Sequence, residues 1–354
     1  MFQRLNIISS MMIGFLASSA CYAQDHIVPI EIQSFQESPV PSLQISGGGF
    51  RIVSGNNKFY VQTGEGRFVS IDLHGTTQTA MDLSAIPPTD SLDMKYLYMV
   101  DMTPDSRGNV LALAMYDKSP DRARAGVARF NSDGTFDDLI WLGLDPYFHV
   151  THIAQFSSSG EFLVNGYDDH GHTKLVLCSG EGAVVVPDVL AETPSISPDA
   201  EKKPKKDPVG DAGAQEKAAR LQLVSGEDNT IYVFDESVGQ KVGRITDRGK
   251  VTWIPLAGLP SNSAFPLEML VTQSNLYLTL ADLPSDKDSL AAHVLNKFSI
   301  FSFDRYDGTL LATYQVEKSF GAFPLVSSPR DLFFLNPSVQ SSGGVSFSIM
   351  EARP

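Results

Sequence analysis

Four of the seven histidines fall close together, at positions 149, 152, 170 and 172. The first two lie in "FHVTH" (148–152) and the last two in "DDHGH" (168–172), next to Asp168 and Asp169. Imidazole nitrogen and carboxylate oxygen are suitable ligands for zinc or a similar divalent cation. His149, His152, Asp168, His170 and His172 therefore form the candidate metal set, and the divalent metal would be the implied cofactor. A bound metal would polarise a carbonyl or activate a water, which is hydrolytic chemistry. The competing reading is a polar hairpin turn with one packed histidine. Residues 149 and 152 are three apart, so plain strand alternation points them to opposite sides.

Other catalytic signatures are absent. There is no G-x-S-x-G elbow, no P-loop and no H-E-x-x-H. The formal charge of −14 argues against a nucleic-acid partner, which requires a basic face, and against an anionic membrane surface. With 42% apolar residues in 354, the chain can bury a substantial core.

The elements that must position those histidines show in a repeat. "VARFNSDGTFDDLIWLGL" (127–144) and "VGRITDRGKVTWIPLAGL" (242–259) share Val, Arg two residues on, a turn Gly and a closing Gly-Leu. An apolar residue lies four before the turn Gly in several copies: Ile71 before Gly75, Phe130 before Gly134, Cys178 before Gly182, Ile245 before Gly249. A fifth copy places Phe303 before Gly308 with one residue inserted. Such a Gly suits the positive φ of a tight hairpin. Upstream of each copy is a β-rich run such as "KFYVQTGE", "NVLALAMYD", "EFLVNGYDD", "TIYVFDES" or "NLYLTLAD", each preceded by a polar turn and another apolar run. The unit is four antiparallel strands, and no segment carries a sustained helical stripe. A period of this kind predicts an all-β fold: a six-bladed β-propeller of four-stranded antiparallel blades, the loose spacing being compatible also with five or seven. Copies begin near 45, 96, 150, 219, 266 and 323. The last lacks a fourth strand, which "HIVPIEIQSF" (26–35) would supply, closing the ring.

In this frame Cys178 reads as a small buried hydrophobe. Trp141 and Trp253 read as packing on outer strands, and Arg129 and Arg244 as solvent-facing residues there. Asp101 and Glu268 are carboxylates on inner strands, the strands that line the channel.

"DNTIYVFDESVGQKVGRITDRGKV" (228–251), with its apolar strand, Asp235, Val-x-Arg-Ile and turn Gly, resembles an NHL-type repeat. The resemblance implies a six-bladed propeller related to the NHL and gluconolactonase-like group, and it covers most of the chain as architecture. Relatives of the gluconolactonase type hold a divalent cation in the channel through a Glu of an early inner strand. "GEG" (64–66) is similar to that Glu, but Glu65 follows the second strand of its copy, and the accompanying Asn pattern is missing. The lactonase site is not supported by these residues.

The N-terminus reads as a signal peptide over 1–23: Arg4, a short apolar stretch from Ile7 to Ala17, then Cys21-Tyr22-Ala23 before the cleavage point. The expected location is periplasmic or extracellular, with the propeller over 24–354 and no transmembrane helix in the mature chain. Lipid attachment at Cys21 is the competing reading; the usual Leu three residues earlier is missing. Residues 192–218, rich in Pro, Lys, Asp and Ala, read as a solvated insertion. Together these features predict an exported binding or scaffold module for a protein or small-molecule ligand. The alternative is a metal-dependent hydrolase or lactonase-like enzyme with its site on the channel face.

Overall fold

The structure is a computed structural model that describes residues 24–26, 28–36, 51–62, 66–73, 78–87, 92–118, 123–191, 221–234, 240–259, 264–282, 298–316, 323–328, 331–339 and 345–353. The expected signal peptide with Cys21, the expected insertion at 192–218, Glu65, Gly75 and Asp235 lie outside these residues. No helix among the described residues is long and apolar enough to cross a membrane.

Two N-terminal strands come first, β1 (Gln24–His26) and β2 (Val28–Gln36). The first sheet holds β3 (Ile52–Gly55), β4 (Lys58–Gln62), β5 (Arg67–Asp72) and β6 (Gln78–Asp82). The second holds β7 (Leu97–Pro104), β8 (Val110–Tyr116), β9 (Arg124–Phe130) and β10 (Phe136–Trp141). The third holds β11 (His149–Gln155), β12 (Phe162–Tyr167), β13 (Thr173–Cys178) and β14 (Val184–Val186). The fourth holds β15 (Gln222–Ser225), β16 (Thr230–Phe234), β17 (Lys241–Thr246) and β18 (Val251–Pro255). The fifth holds β19 (Ala264–Val271), β20 (Asn275–Asp282), β21 (Phe298–Asp304) and β22 (Leu310–Val316), and β1 joins it. The sixth holds β23 (Phe323–Ser328), β24 (Asp331–Val339) and β25 (Val345–Arg353), completed by β2.

The architecture is an all-β propeller of four-stranded antiparallel blades. Inner strands β3, β7, β11, β15, β19 and β23 touch in that cyclic order, and β23 returns to β3. The expectation of six four-stranded antiparallel blades is corrected to five. Five sheets have four antiparallel strands; the remaining sheet has five, because β1 pairs in parallel with β22, from Gln24 opposite Thr313 to His26 opposite Gln315. Chain closure uses β2, which lies antiparallel to β25 from Val28 opposite Arg353 to Gln36 opposite Ser346. The N-terminal segment thus supplies the outer strand that the last repeat lacks.

The core consists of apolar layers between neighbouring sheets rather than one centre. One layer joins Phe68 and Tyr60 of the first sheet to Phe130 and Val110 of the second, with the Phe68 and Phe130 rings edge to face at 5.4 Å. Equivalent layers join the second sheet to the third, the third to the fourth, and the fourth to the fifth. Cys178 is fully buried in such a layer, and burial pushes its thiol up to about 12, so it packs as a hydrophobe.

The repeated Gly turns have a second role in these layers. Gly134, Gly182, Gly249 and Gly308 all have positive φ. A Cβ on Gly182 would lie 2.2 Å from the Trp141 carbonyl oxygen of the preceding sheet, and one on Gly134 2.6 Å from that of Ala80. On Gly308 it would strike the Pro255 carbonyl of the preceding sheet. Each of these three turns therefore docks its backbone against the previous sheet's outer strand. Carbonyls of Gly182 and Gly308 accept from the N–H groups of Gly143 and Ala257, at 2.8 and 3.1 Å. The second and fourth sheets each have a cross-strand Gly–Trp pair, Gly126 with Trp141 and Gly243 with Trp253, at positions that do not align in the repeat. Each indole lies across the bare glycine, within 3.3 Å of where a Cβ would sit.

Candidate functional site

The inner hairpins share a register that brings one position of each inner strand to a common level. Near the hairpin ends stand Ser54 opposite Phe59, one step before the terminal pair Gly55–Lys58, and the terminal pairs Pro104–Val110, Gln155–Phe162, Ser225–Ile231 and Val271–Leu276. Three residues earlier stand Arg51, Asp101, His152, Gln222 and Glu268. In β7, β11 and β19 a bulge falls just before this position, at Val100, Thr151 and Leu267. A bulge re-aims the residue beside it, which is a frequent device next to functional sites.

Four of these residues, Arg51, Asp101, His152 and Glu268, form an ionisable cluster around the axis. Arg51 Nε donates to Asp101 Oδ1 at 2.5 Å, linking the first sheet to the second. The other oxygen of Asp101 accepts the Ile153 N–H of the third sheet at 2.9 Å. Asp101 is 1% exposed and both of its oxygens are used. His152 is buried; its Nδ1 lies 3.2 Å from the Thr151 hydroxyl, which accepts from Asn165 Nδ2 at 2.8 Å. Burial holds the imidazole down at about 4, with Asp101 opposing and Arg51 reinforcing the shift.

Glu268 is buried at 8% exposure. Burial raises its carboxyl to about 8, against the pull of Arg51 and with the help of Asp101. One cation thus faces two carboxylates, and Asp101 holds it. Glu268 resolves the surplus by keeping its proton at neutral pH.

Above this level the hairpins open into a cavity of about 570 Å³. Ser54 and Asn57, Thr103, Gln155, Ser225 and Ser274 line it from five successive sheets. Cross-sheet bonds brace the rim. Asn56 Nδ2 donates to the Asp105 carbonyl at 2.6 Å, the Gln155 N–H to Ser225 Oγ at 3.2 Å, and the Ser158 N–H to Asn229 Oδ1 at 2.8 Å. The consecutive left-handed Asn56 and Asn57 make the two-residue turn that lets β3 and β4 close at this rim.

The candidate metal residues are divided between two places. His152 joins the axial cluster. His149 is exposed and stacks on its cross-strand partner Tyr167 at 5.0 Å. Strand alternation alone failed to describe this pair, because the bulge at Thr151 interrupts it. Asp168, His170 and His172 lie in the β12–β13 turn, where Asp168 and His170 line a second cavity of about 370 Å³. Asp168 accepts the N–H groups of His170 and His172 at 3.0 and 2.9 Å and the Lys174 ammonium at 2.8 Å. Slight burial opposes ionisation, but Lys174 and the two N–H groups hold the carboxyl well below its ordinary range. Asp168 is therefore occupied as the cap of its own turn. Among the described residues no group of three or more His, Cys, Asp or Glu side chains is placed to hold a metal ion.

Sequence reasoning identified Asp101 and Glu268 as inner-strand carboxylates and missed Arg51 and Gln222. Arg51 precedes its strand and reads as loop; its bond to Asp101 is what places it at this level.

No protein-family model matches the chain, and no curated protein matches it. Among solved structures, the chain is similar to a protein of unknown function from Bacteroides caccae, determined at 1.35 Å, with 11% identity over 77% of this chain and 85% of that one and a TM-score of 0.46. Membership of the NHL or gluconolactonase-like group is not shown by these comparisons.

Proposed function

We propose that the protein is an exported propeller that works as a binding module, with its site at the hairpin mouth of the channel. The cavity of about 570 Å³ walled by five sheets carries this reading. Its size falls within the range of small-molecule sites. Hydroxyl and amide side chains dominate its wall. Of its two carboxylates, Asp105 is spent on its own turn, accepting from the N–H groups of Arg107 and Asn109 and from Asn109 Nδ2. Such a wall suits a small ligand rich in hydroxyl or amide groups. Calorimetric titration with a panel of monosaccharides and short uncharged peptides tests it. Saturable binding by one class is expected, lost in Gln273→Trp, which fills the mouth from an exposed loop position. No binding by the wild type, or undiminished binding by the variant, overturns the reading.

Glu268 supports a second reading, an enzyme of the hydrolase class. A carboxyl that stays protonated near pH 7 is suited to general-acid work. Turnover of an ester or glycoside panel by the wild type and its loss in Glu268→Gln would favour it over simple binding.

A further inference from the structure

A second charged cluster lies between the fourth and fifth sheets, away from the axis. Asp228 sits in the β15–β16 hairpin. Its Oδ2 accepts from Arg244 Nη2 of β17 at 2.7 Å and from Arg305 Nη2 of the β21–β22 turn at 2.6 Å. Its Oδ1 accepts the Thr230 hydroxyl at 2.5 Å. Arg305 Nη1 donates to the Thr272 carbonyl at 2.8 Å. One carboxylate therefore serves two guanidiniums, and the cluster carries one surplus positive charge. Of the other carboxylates on these turns, Asp247 accepts from Asn229 Nδ2, Asp304 from the N–H groups of Tyr306 and Asp307, and Asp307 from that of Thr309, while Glu227 lines the channel-mouth cavity.

Two guanidinium nitrogens beside Asp228 are buried and have no partner, Arg244 Nε and Arg305 Nε, and the buried Tyr232 hydroxyl faces Thr230. Arg305 is 3% exposed and Tyr232 fully buried. Tyr232 stands beside Asp228 and Thr230, since a Cβ built on Gly226 would lie within 3.1 Å of all three side chains. Tyr306 lies over Arg305 at 4.8 Å, and the partly exposed Arg244 leaves a path to solvent. Buried donors of this kind are normally satisfied. A water could satisfy these donors but would leave the surplus positive charge in place. An anion accepts every donor and cancels the surplus charge, which arginine cannot shed by deprotonation.

We propose that the recess bounded by Arg244, Arg305 and Tyr232 binds a halide-sized inorganic anion that ties the fourth sheet to the fifth. Larger anions are disfavoured by the depth of Arg305 and the cover of Tyr306.

Thermal melts in sodium chloride, bromide and gluconate at matched ionic strength test the site. The wild type is expected to melt about 2–5 °C higher in the halides, with saturation, because the ligand binds only the folded state. Arg244→Gln, which leaves a neutral Asp228–Arg305 pair, should lose that difference. Crystals soaked in bromide should show an anomalous peak within hydrogen-bond distance of both Nε atoms. Equal melts in halide and gluconate, an undiminished halide effect in Arg244→Gln, or no peak at this recess overturns the proposal. The bromide map needs only the wild type, so it decides even where the variant fails to fold.

Discussion

The axial cluster and the Asp228 cluster present the same problem with opposite sign. At the axis Arg51 faces two carboxylates; between the fourth and fifth sheets Asp228 faces two guanidiniums. A carboxylate can discard its charge by taking a proton, and Glu268 does so. A guanidinium has no such route. The axial cluster is therefore responsive to pH, whereas the Asp228 cluster is expected to respond to anions. The difference also separates their roles. A carboxyl that changes charge beneath an open cavity is suited to function, and a fixed cation pair between sheets is suited to architecture.

Asp101→Ala should have the largest effect. It strands Arg51 and leaves the Ile153 N–H without its acceptor, at about 3–5 kcal/mol of stability by urea unfolding at pH 7. Glu268 should then ionise as the substitute partner of Arg51. Adding Glu268→Gln to Asp101→Ala should therefore cost roughly another 1 kcal/mol. Strict additivity with a near-neutral Glu268→Gln would break the view that two carboxylates share one arginine.

The pH dependence of stability comes next. Glu268 keeps its proton in the folded state up to about pH 8, whereas the unfolded chain releases it near 4.5. Its contribution is full below 4.5 and is lost as pH rises toward 8. His152 stays neutral in the folded state down to about 4, whereas the unfolded chain takes a proton near 6.5. Its contribution is full above 6.5 and is lost as pH falls toward 4. The two slopes oppose each other between 4.5 and 6.5. From 6.5 to 8 Glu268 acts alone, and stability should fall by up to about 1.4 kcal/mol per pH unit. Denaturant melts of the wild type and Glu268→Gln across that window should show the slope flattened in the variant. A wild type without the slope would contradict the axial account.

The smallest effect is expected at the histidine turn. His170→Ala with His172→Ala should change stability by less than about 0.5 kcal/mol, because both rings are exposed and Asp168 bonds to their backbone N–H groups, which alanine retains. Zinc titration followed by melting would sharpen the point: a zinc-dependent rise lost in the double variant would restore the metal reading.

How much was legible in the sequence follows from the range of each determinant. The blade unit is local, and the turn Gly, the Gly-Leu closure and the β-rich runs all fall within one copy, so the strands could be placed. Closure by β2 was legible because the last copy visibly lacked a strand. The parallel attachment of β1 was not, because three residues carry no pattern that selects β22 as partner. Arg244 looked like a solvent-facing repeat position because its partners, Asp228 and Arg305, come from a hairpin and from the next sheet. The histidines illustrate the opposite error. Nearness in sequence suggested a site, while the bulge at Thr151 and the turn capped by Asp168 sent His152 and His170 to different places.

The charge state of Glu268 tests the account most directly. Carbon NMR of the side-chain carboxyl, assigned by comparison with Glu268→Gln, can be followed from pH 5 to 9.5. The account predicts a midpoint near 8, moving down toward the ordinary carboxylate range in Asp101→Ala as Arg51 becomes free to pair with it. A midpoint near 4.5 in the wild type would contradict it.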